Sequence, residues 1–362
     1  MPSGDRTIAR LLVQALESAG THVVVPSTLR SFDARGDRDN QRAIRKAGRR
    51  EARALINRLA AEPPTSRPAM WFTYHLYHKA PDWVGPLVAR ALGIPYVLAE
   101  ASYAAKQRHG PWAAGLASTR QAICQASAIF TLNPRDRGAL VALHGNAKRL
   151  HALTPFLDTD PFAGQRHLQR DRLAAQHGLD TGIPWLISVG MVRPGDKLAS
   201  FAMQRDVLSS LSDCDWHWLV VGDGEASAEL DRLIAPLGAR VTRLGALDKT
   251  TLALWLRNAD LAVWPALNEA IGMALLEAQA AGLPVLAGHT PGVAAICDNA
   301  GCTVVPQNVA SLASALRELL TARDQLADRG ALARQSVNGI ADAGQALSGV
   351  LDPLLARSTQ GR

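Results

Sequence analysis

Two hydrophobic rhythms alternate along the chain. Short, nearly unbroken apolar runs are followed by longer stretches whose apolar residues recur every three or four positions. The first pattern predicts buried strands and the second amphipathic helices; their alternation predicts an α/β fold with parallel sheets. In the first half, "ARLLVQALESAG" reads as a helix ended by Gly20, and "HVVVPS" as a strand. A basic helix and a proline-rich break, "AEPPTSRP", come next. Strand "AMWFTYH", helix "WVGPLVARALG", strand "PYVLAEA", helix "AGLASTRQAICQA" and strand "AIFTLN" complete it, before a last strand and linker in "KRLHALTPFLDTDPF".

The second half restarts the rhythm. "PWLISVG", "WHWLVVG", "RVTRLG", "LAVWPA", "PVLAG" and "TVVP" read as strands, with helices between them and a helical tail. Two Rossmann-like halves result, with the boundary between residues 160 and 182. The divisions are an N-terminal domain over 1–165, a C-terminal domain over 166–345 and a tail over 346–362. Ligands of such sheets bind beyond the carboxyl ends of the strands, so a cleft between the halves is the expected site. The chain opens on the loop "PSGD", where such a half ordinarily opens on a strand. The first strand of the N-terminal domain is therefore expected to be missing or to lie upstream, leaving that half the less stable.

Composition changes this picture little: 48% of the 362 residues are hydrophobic and 20% are charged. No apolar run approaches the ~20 residues of a membrane-spanning helix, and the N-terminus lacks the apolar segment of a signal peptide. The four cysteines match no zinc spacing and read as reduced thiols, in keeping with a cytoplasmic protein. The net charge of +7 calls for an anionic partner. Residues 38–53, "RDNQRAIRKAGRREAR", hold seven Arg or Lys against two acids, either as a solvated helix face or as a dock for a charged acceptor or for anionic lipid at the inner face of a membrane. Nucleic acid ranks below both, because that segment has no aromatic residue to stack on a base.

Candidate chemistry concentrates in the second half. "SVGMVRPGDK" places Gly190 at a strand end and Arg193 and Lys197 in the turn after it, two cations able to hold a diphosphate. "VVGDG" is a lone G-x-G. "RLGALD" is a strand-to-loop junction whose backbone, at Leu247, is placed to hydrogen-bond a nucleobase. In "LNEAIGMALLEAQAAGLPVLAG", a helix starting near Gly272 offers free N–H groups and its positive dipole end to a phosphate. Gly272 lets the phosphate approach the backbone. Glu269 precedes the helix, and Glu277 is placed to accept two hydrogen bonds from a ribose.

In this order the motifs resemble the retaining family 4 glycosyltransferases, which have the GT-B fold. The resemblance rests on Glu269 and Glu277 as E-x7-E, followed by "AQAAGLPVLAG", "TPGVAAI" and "CTVVPQN". The Gly-Arg-Lys turn, "VVGDG", "LGAL" and the crossing "PFLDTDPF" accompany it. It covers residues 150–320 closely and the first half loosely. It implies transfer of a sugar from a nucleotide diphosphate-sugar to an acceptor hydroxyl, without a metal or other cofactor, in cell-surface polysaccharide or lipid-linked glycan assembly. Position by position it implies that Glu277 binds the ribose and Glu269 the transferred sugar. Ile271, Gly272 and Met273 would lie at the diphosphate, with Arg193 and Lys197 neutralising it. Three D-x-D triplets, Asp37/Asp39, Asp158/Asp160 and Asp213/Asp215, read as surface or linker acids.

Two features depart from the family. Met191 stands where the turn usually has its Arg, and "PYVLAEAS" lacks the usual His. Glu100, Ser102, His75 and His109 are the candidates to meet the acceptor or sugar, with His78 nearby. Gly4 and Ser3 of "PSGD" are expected beside the donor, where Asp5 could also bind a hydroxyl; alternatively Ser3 or Asp5 caps a helix. The rival readings are a catalytically impaired nucleotide-sugar binder and a Rossmann oxidoreductase, against which no strand is followed by G-x-G-x-x-G.

Overall fold

The computed structural model describes residues 4–360, which divide into two compact units. One comprises Asp5–Thr154 with the last segment, Ala341–Arg362, and the other is essentially Pro155–Ile340.

The first unit holds a parallel sheet of four strands in chain order: β1 (Trp71–Leu76), β2 (Tyr96–Ala101), β3 (Ala128–Thr131) and β4 (Leu150–Ala152). Every residue of β3 is buried, as expected of a parallel strand covered on both faces. Tyr96, Leu98, Ile123, Ile129 and Leu140 form part of the core beneath it. The buried Tyr96 hydroxyl donates to Asp82 (3.0 Å), which also receives the Thr73 hydroxyl (2.6 Å) and the N–H groups of Val84 and Gly85 (2.9 and 2.7 Å). One carboxylate thus joins β1, β2 and the start of helix Gly85–Leu92.

The basic stretch lies in helix Arg38–Ala61. The Asp37 side chain caps it, accepting from Asp39 and Asn40. It buries Gly48, Ala52 and Leu55, while Arg42, Arg45, Lys46, Arg49, Arg50 and Arg53 stay exposed. Among the described residues, no helix is long and apolar enough to cross a membrane.

Two expectations need correction here. "HVVVPS" forms no strand: Val24 and Val25 are 65% and 75% exposed. A strand requires a partner for its ladder, and β1, the nearest sheet edge by chain order, pairs only with β2 among the described strands. Helix Pro134–His144 occupies a stretch with no predicted element, although Asn133 as N-cap and Pro134 at the first helical position are standard start signals.

The second unit holds six parallel strands: β5 (Trp185–Val189), β6 (His217–Val221), β7 (Val241–Gly245), β8 (Leu261–Trp264), β9 (Val285–Gly288) and β10 (Cys302–Val305). Their order is β10-β9-β8-β5-β6-β7. The chain moves outward from β5 to β6 and β7, then returns to β8 on the other side of β5. The carboxyl ends of β5 and β8 therefore flank the topological switch point, where open α/β sheets bind ligands. Buried Ser188 stitches this centre, accepting from Trp218 Nε1 (2.9 Å) and donating to the Val263 carbonyl (2.7 Å).

Candidate functional site

The loops after β5 and β6 are pressed together by two glycines. A Cβ on Gly222 would stand 1.8 Å from the Gly190 carbonyl oxygen, and one on Gly224 would stand 2.3 Å from that of Val192. Read in sequence as a lone turn motif, this G-x-G is the close backbone approach that shapes the floor of the site. Gly190 N–H donates to Val221 O (3.0 Å) and Val192 N–H to Asp223 O (3.1 Å). Lys197 then falls in the first turn of helix Asp196–Ser209. Exposed Arg193 instead helps line a depression of about 400 Å³ with Met191, Asp223, Gly224, Glu225 and Ala246. Leu247, half-buried, follows Ala246 and precedes Asp248, which caps helix Lys249–Asn258.

The loop after β8 is held in an unusual shape. Ala266 and Asn268 have φ of +58° and +50°, a left-handed region that costs a non-glycine residue about 1 kcal/mol or more. The surroundings enforce it: Gln307 Nε2 donates to Ala266 O (2.6 Å), Asn268 Nδ2 to Asp196 (2.9 Å) and Leu267 N–H to Ser200 Oγ (3.1 Å). Thr290 Oγ1 donates to Glu269 O (2.9 Å), and a Cβ on Gly292 would lie 1.6 Å from Ala270 O. So fixed, Glu269 accepts from Lys197 Nζ and from Trp264 Nε1 (3.2 Å). The Lys197 ammonium also lies 5.4 Å from the Trp264 ring centre. The pair is mostly buried, its side chains 26% and 16% exposed.

Ile271 is buried, and Gly272 follows it with φ +86° as the N-cap of helix Met273–Ala280. A Cβ there would meet Glu269 Cγ at 3.6 Å, so the Glu269 stem lies against the start of the helix. Gly272 O accepts from Leu275 and Leu276, whereas the N–H groups of Met273 and Ala274 precede any intrahelical acceptor. On the next turn, half-buried Glu277 is pushed up to about 7 by burial, with Lys249 opposing the shift. Gly190, Lys197, Glu269, Gly272, Met273 and Glu277 thus come from the loops and helices around one switch point. Trp264, Lys249, Thr290 and Gly292 adjoin them; the sequence motifs marked only the stretch "TPGVAAI", which holds Thr290 and Gly292, and gave neither a role.

In the first unit, His75 and Glu100 end adjacent parallel strands, and both are left-handed, at φ +61° and +56°. His75 Nδ1 lies 3.5 Å from Asp5 Oδ1 and its ring stacks on Tyr77, centroids 4.9 Å apart. Glu100 accepts from Leu132 N–H (3.2 Å); burial, then Asp136, push its carboxyl up to about 7. Ser102 follows β2, its N–H bonded to Leu76 O (2.9 Å). His78 packs edge-on to Trp112, and His109 is exposed in a turn. Gly4 begins helix Gly4–Ser18 and is exposed; Ser3 lies outside the described residues. Of the D-x-D acids, Asp37 is a cap, Asp158 pairs with Lys249 (3.0 Å) and Asp213 with Arg317 (2.6 Å). Among the described residues, no group of three His, Cys, Asp or Glu could hold a metal ion.

Comparison with known proteins finds similar chains and folds. The family model described as "Glycosyl transferases group 1" matches residues 184–322. D-inositol 3-phosphate glycosyltransferase 2 of Catenulispora acidiphila is 32% identical over 231 residues, covering 60% of this chain and 53% of that protein. The 2-deoxystreptamine glucosyltransferase of Streptomyces kanamyceticus is 29% identical over 256 residues, covering 65% and 64%. The chain thus spans between half and two thirds of the length of these relatives. Among solved structures, a sucrose-phosphate synthase from Thermosynechococcus elongatus superposes with a TM-score of 0.70 at 17% identity, covering 98% of this chain and 94% of that one. Anabaena HepE in complex with UDP and glucose superposes at 0.63 and 16% identity, covering 84% and 81%. At such identities the likeness shows the fold, which is GT-B.

Proposed function

We propose that the chain, whose residues 184–322 match the group 1 glycosyltransferases, moves a sugar from a nucleotide diphosphate-sugar to an acceptor hydroxyl with retention at the anomeric carbon. The observation that carries this reading is the Lys197–Glu269 pair fixed against the N-terminus of helix Met273–Ala280. The free N–H groups of Met273 and Ala274 receive the diphosphate. Lys197 neutralises charge on it as the glycosidic bond breaks, an interaction stronger in the transition state than in the ground state. Glu269, held by Lys197 and Trp264, meets hydroxyls of the transferred sugar, and Glu277 accepts from the ribose. Arg193 approaches the diphosphate from its exposed loop, and the backbone at Leu247 meets the base. No metal or other cofactor is needed, because the phosphate charge is met by Lys197, Arg193 and the helix dipole.

The acceptor is a polyol. The named substrates of the two relatives above, D-inositol 3-phosphate and 2-deoxystreptamine, are both cyclitols, which widens the class beyond polysaccharide or lipid-linked glycan. His75, Glu100, Ser102 and His109 are its candidate contacts. The enzyme works in the cytoplasm, and the exposed arginines of Arg38–Ala61 favour transient contact with an anionic membrane face. Turnover of a panel of nucleotide sugars with cyclitol and glycan acceptors tests the proposal, with the product anomer assigned by NMR. Transfer with inversion, or turnover unchanged in Glu269→Ala, contradicts it.

A further inference from the structure

Helix Arg38–Ala61 rides directly over the start of helix Gly85–Leu92. A Cβ on its buried Gly48 would stand 2.5 Å from Trp83 Cβ, so the missing side chain is what lets the two come this close. Ala52, Leu55, Val84 and Val88 pack in one cluster along the same seam. Arg45 and Arg49, one turn apart, flank Gly48 and so stand beside Trp83; the Arg45 guanidinium lies 5.4 Å from the indole ring centre. With helix Ala113–Gln125 they enclose a groove of about 230 Å³, lined also by Leu87, Arg90, Ser118 and Gln121. Arg90 and Gln125 are shared with a second depression of about 360 Å³, which reaches Tyr96 and Ser127 at the amino ends of β2 and β3. His75 and Glu100 stand near the opposite, carboxyl ends of β1 and β2.

Three guanidiniums meet this groove without a carboxylate partner. Among the described residues, Arg45, Arg49 and Arg90 form no ion pair and donate no hydrogen bond within the chain. The acid in the lining, Asp82, is already engaged by the hydroxyls of Thr73 and Tyr96 and the N–H groups of Val84 and Gly85. Like charges one turn apart repel, and a third at the same groove adds to the repulsion, so an anion from outside the chain relieves it. The hydroxyls of Ser118 and Ser127 and the amide of Gln121 likewise have no partner among the described residues. Gln125 Nε2 donates to Pro86 O (2.8 Å), tying the two walls together.

We propose that this groove is a second anion site, separate from the nucleotide site, and that it takes a phosphorylated saccharide. Arg45, Arg49 and Arg90 hold the phosphate, which suits their forked donors. Trp83 and Leu87 offer apolar surface to the C–H face of a sugar ring, and Ser118 and Gln121 meet its hydroxyls. Taken together the two depressions have the size of an ordinary small-molecule cleft. An anionic lipid would bring the same phosphate, but its acyl chain would leave Ser118, Ser127 and Gln121 covered and unpaired, which a sugar does not.

The site is independent of the transfer reaction, since its residues belong to the first unit and the nucleotide residues to the second. Calorimetric titration of the full chain with glucose 6-phosphate, inorganic phosphate and UDP tests it, beside sedimentation with vesicles of phosphatidylglycerol and phosphatidylcholine. Glucose 6-phosphate should bind saturably, and at least tenfold more weakly to Arg45→Gln/Arg49→Gln and to Arg90→Gln. These arginines are exposed, so the core is untouched. Arg50→Gln/Arg53→Gln removes the same charge from the same helix outside the groove and should bind as the wild type does. Inorganic phosphate, without a ring, should bind several-fold more weakly, and UDP affinity should not change in any of these variants. No saturable binding, equal affinity in the wild type and Arg45→Gln/Arg49→Gln, or an equal loss in Arg50→Gln/Arg53→Gln overturns the site. So does binding that Lys197→Ala abolishes and the groove variants keep, which assigns the phosphate to the nucleotide site. Inorganic phosphate binding as tightly as glucose 6-phosphate overturns the saccharide. Vesicle binding that depends on Arg45 and Arg49, with none of glucose 6-phosphate, makes the groove a lipid site and overturns the proposed ligand. Glucose 6-phosphate bound by a chain that takes no UDP supports the groove and counts against the proposed function alone.

Discussion

Lys197 donates directly to Glu269, joining the first turn of the helix after β5 to the loop after β8 across the topological switch point. Each partner is mostly buried, so removing either leaves the other without its counter-charge. With Lys197→Ala, turnover should fall by about 10²–10³ through lost stabilisation of the leaving diphosphate. KM for the donor should change less than kcat. Steady-state kinetics on variants with an intact thermal transition check this; a loss confined to KM would make Lys197 a binding group only.

Gly292→Ala tests the scaffold behind Glu269. The added methyl carbon would stand 1.6 Å from Ala270 O, so the loop or the helix Pro291–Ile296 must shift. The expected cost is about 1–3 kcal/mol of stability, with nucleotide binding weakened more than tenfold because Glu269 and Gly272 move with Ala270. Thermal unfolding and nucleotide titration read the two effects separately.

Glu100 and Glu277 both stand near 7 rather than 4.5 because folding buries them. The folded chain therefore binds more protons than the unfolded chain between roughly pH 4.5 and 7, and stability from these groups is lost as pH rises through that window. Glu100→Gln should match the wild type at pH 4.5 and exceed it by about 2–3 kcal/mol at pH 8. Urea unfolding across this range measures the difference; parallel curves would mean that Glu100 ionises normally.

The same shift at Glu277 bears on binding. A carboxylate accepts ribose hydroxyls better than a carboxylic acid does, so nucleotide affinity should rise several-fold from pH 6 to pH 8. Titration of the nucleotide's own phosphate also contributes, and Glu277→Gln isolates the protein's share. The variant should show a shallower rise.

Most of the second unit was legible because its inner parallel strands are buried on both faces and carry apolar runs, as "WLVV" and "LAVW" do. "HVVVPS" carries the same signal and still fails, since strand propensity is realised only where a neighbour supplies hydrogen bonds. The motif residues Glu269, Gly272 and Glu277 do fall together at the start of one helix, which is the part of the candidate site that motif spacing could foresee. Lys249, Trp264 and Thr290 were not readable, because their roles arise from contacts across the fold. Thr290 acts through the Glu269 carbonyl 21 positions away. The left-handed Ala266, Asn268, His75 and Glu100 were likewise hidden, since nothing in an alanine or a glutamate announces positive φ.

The central claim is that the N-terminus of helix Met273–Ala280, flanked by Glu269 and Glu277, is a nucleotide diphosphate site. Calorimetric titration of UDP, GDP, ADP and dTDP, with EDTA present, tests it most directly. The account predicts saturable binding of at least one of them to the wild type, undiminished by the chelator and at least tenfold weaker in Glu277→Ala. Binding of none, or equal binding to wild type and variant, would contradict it.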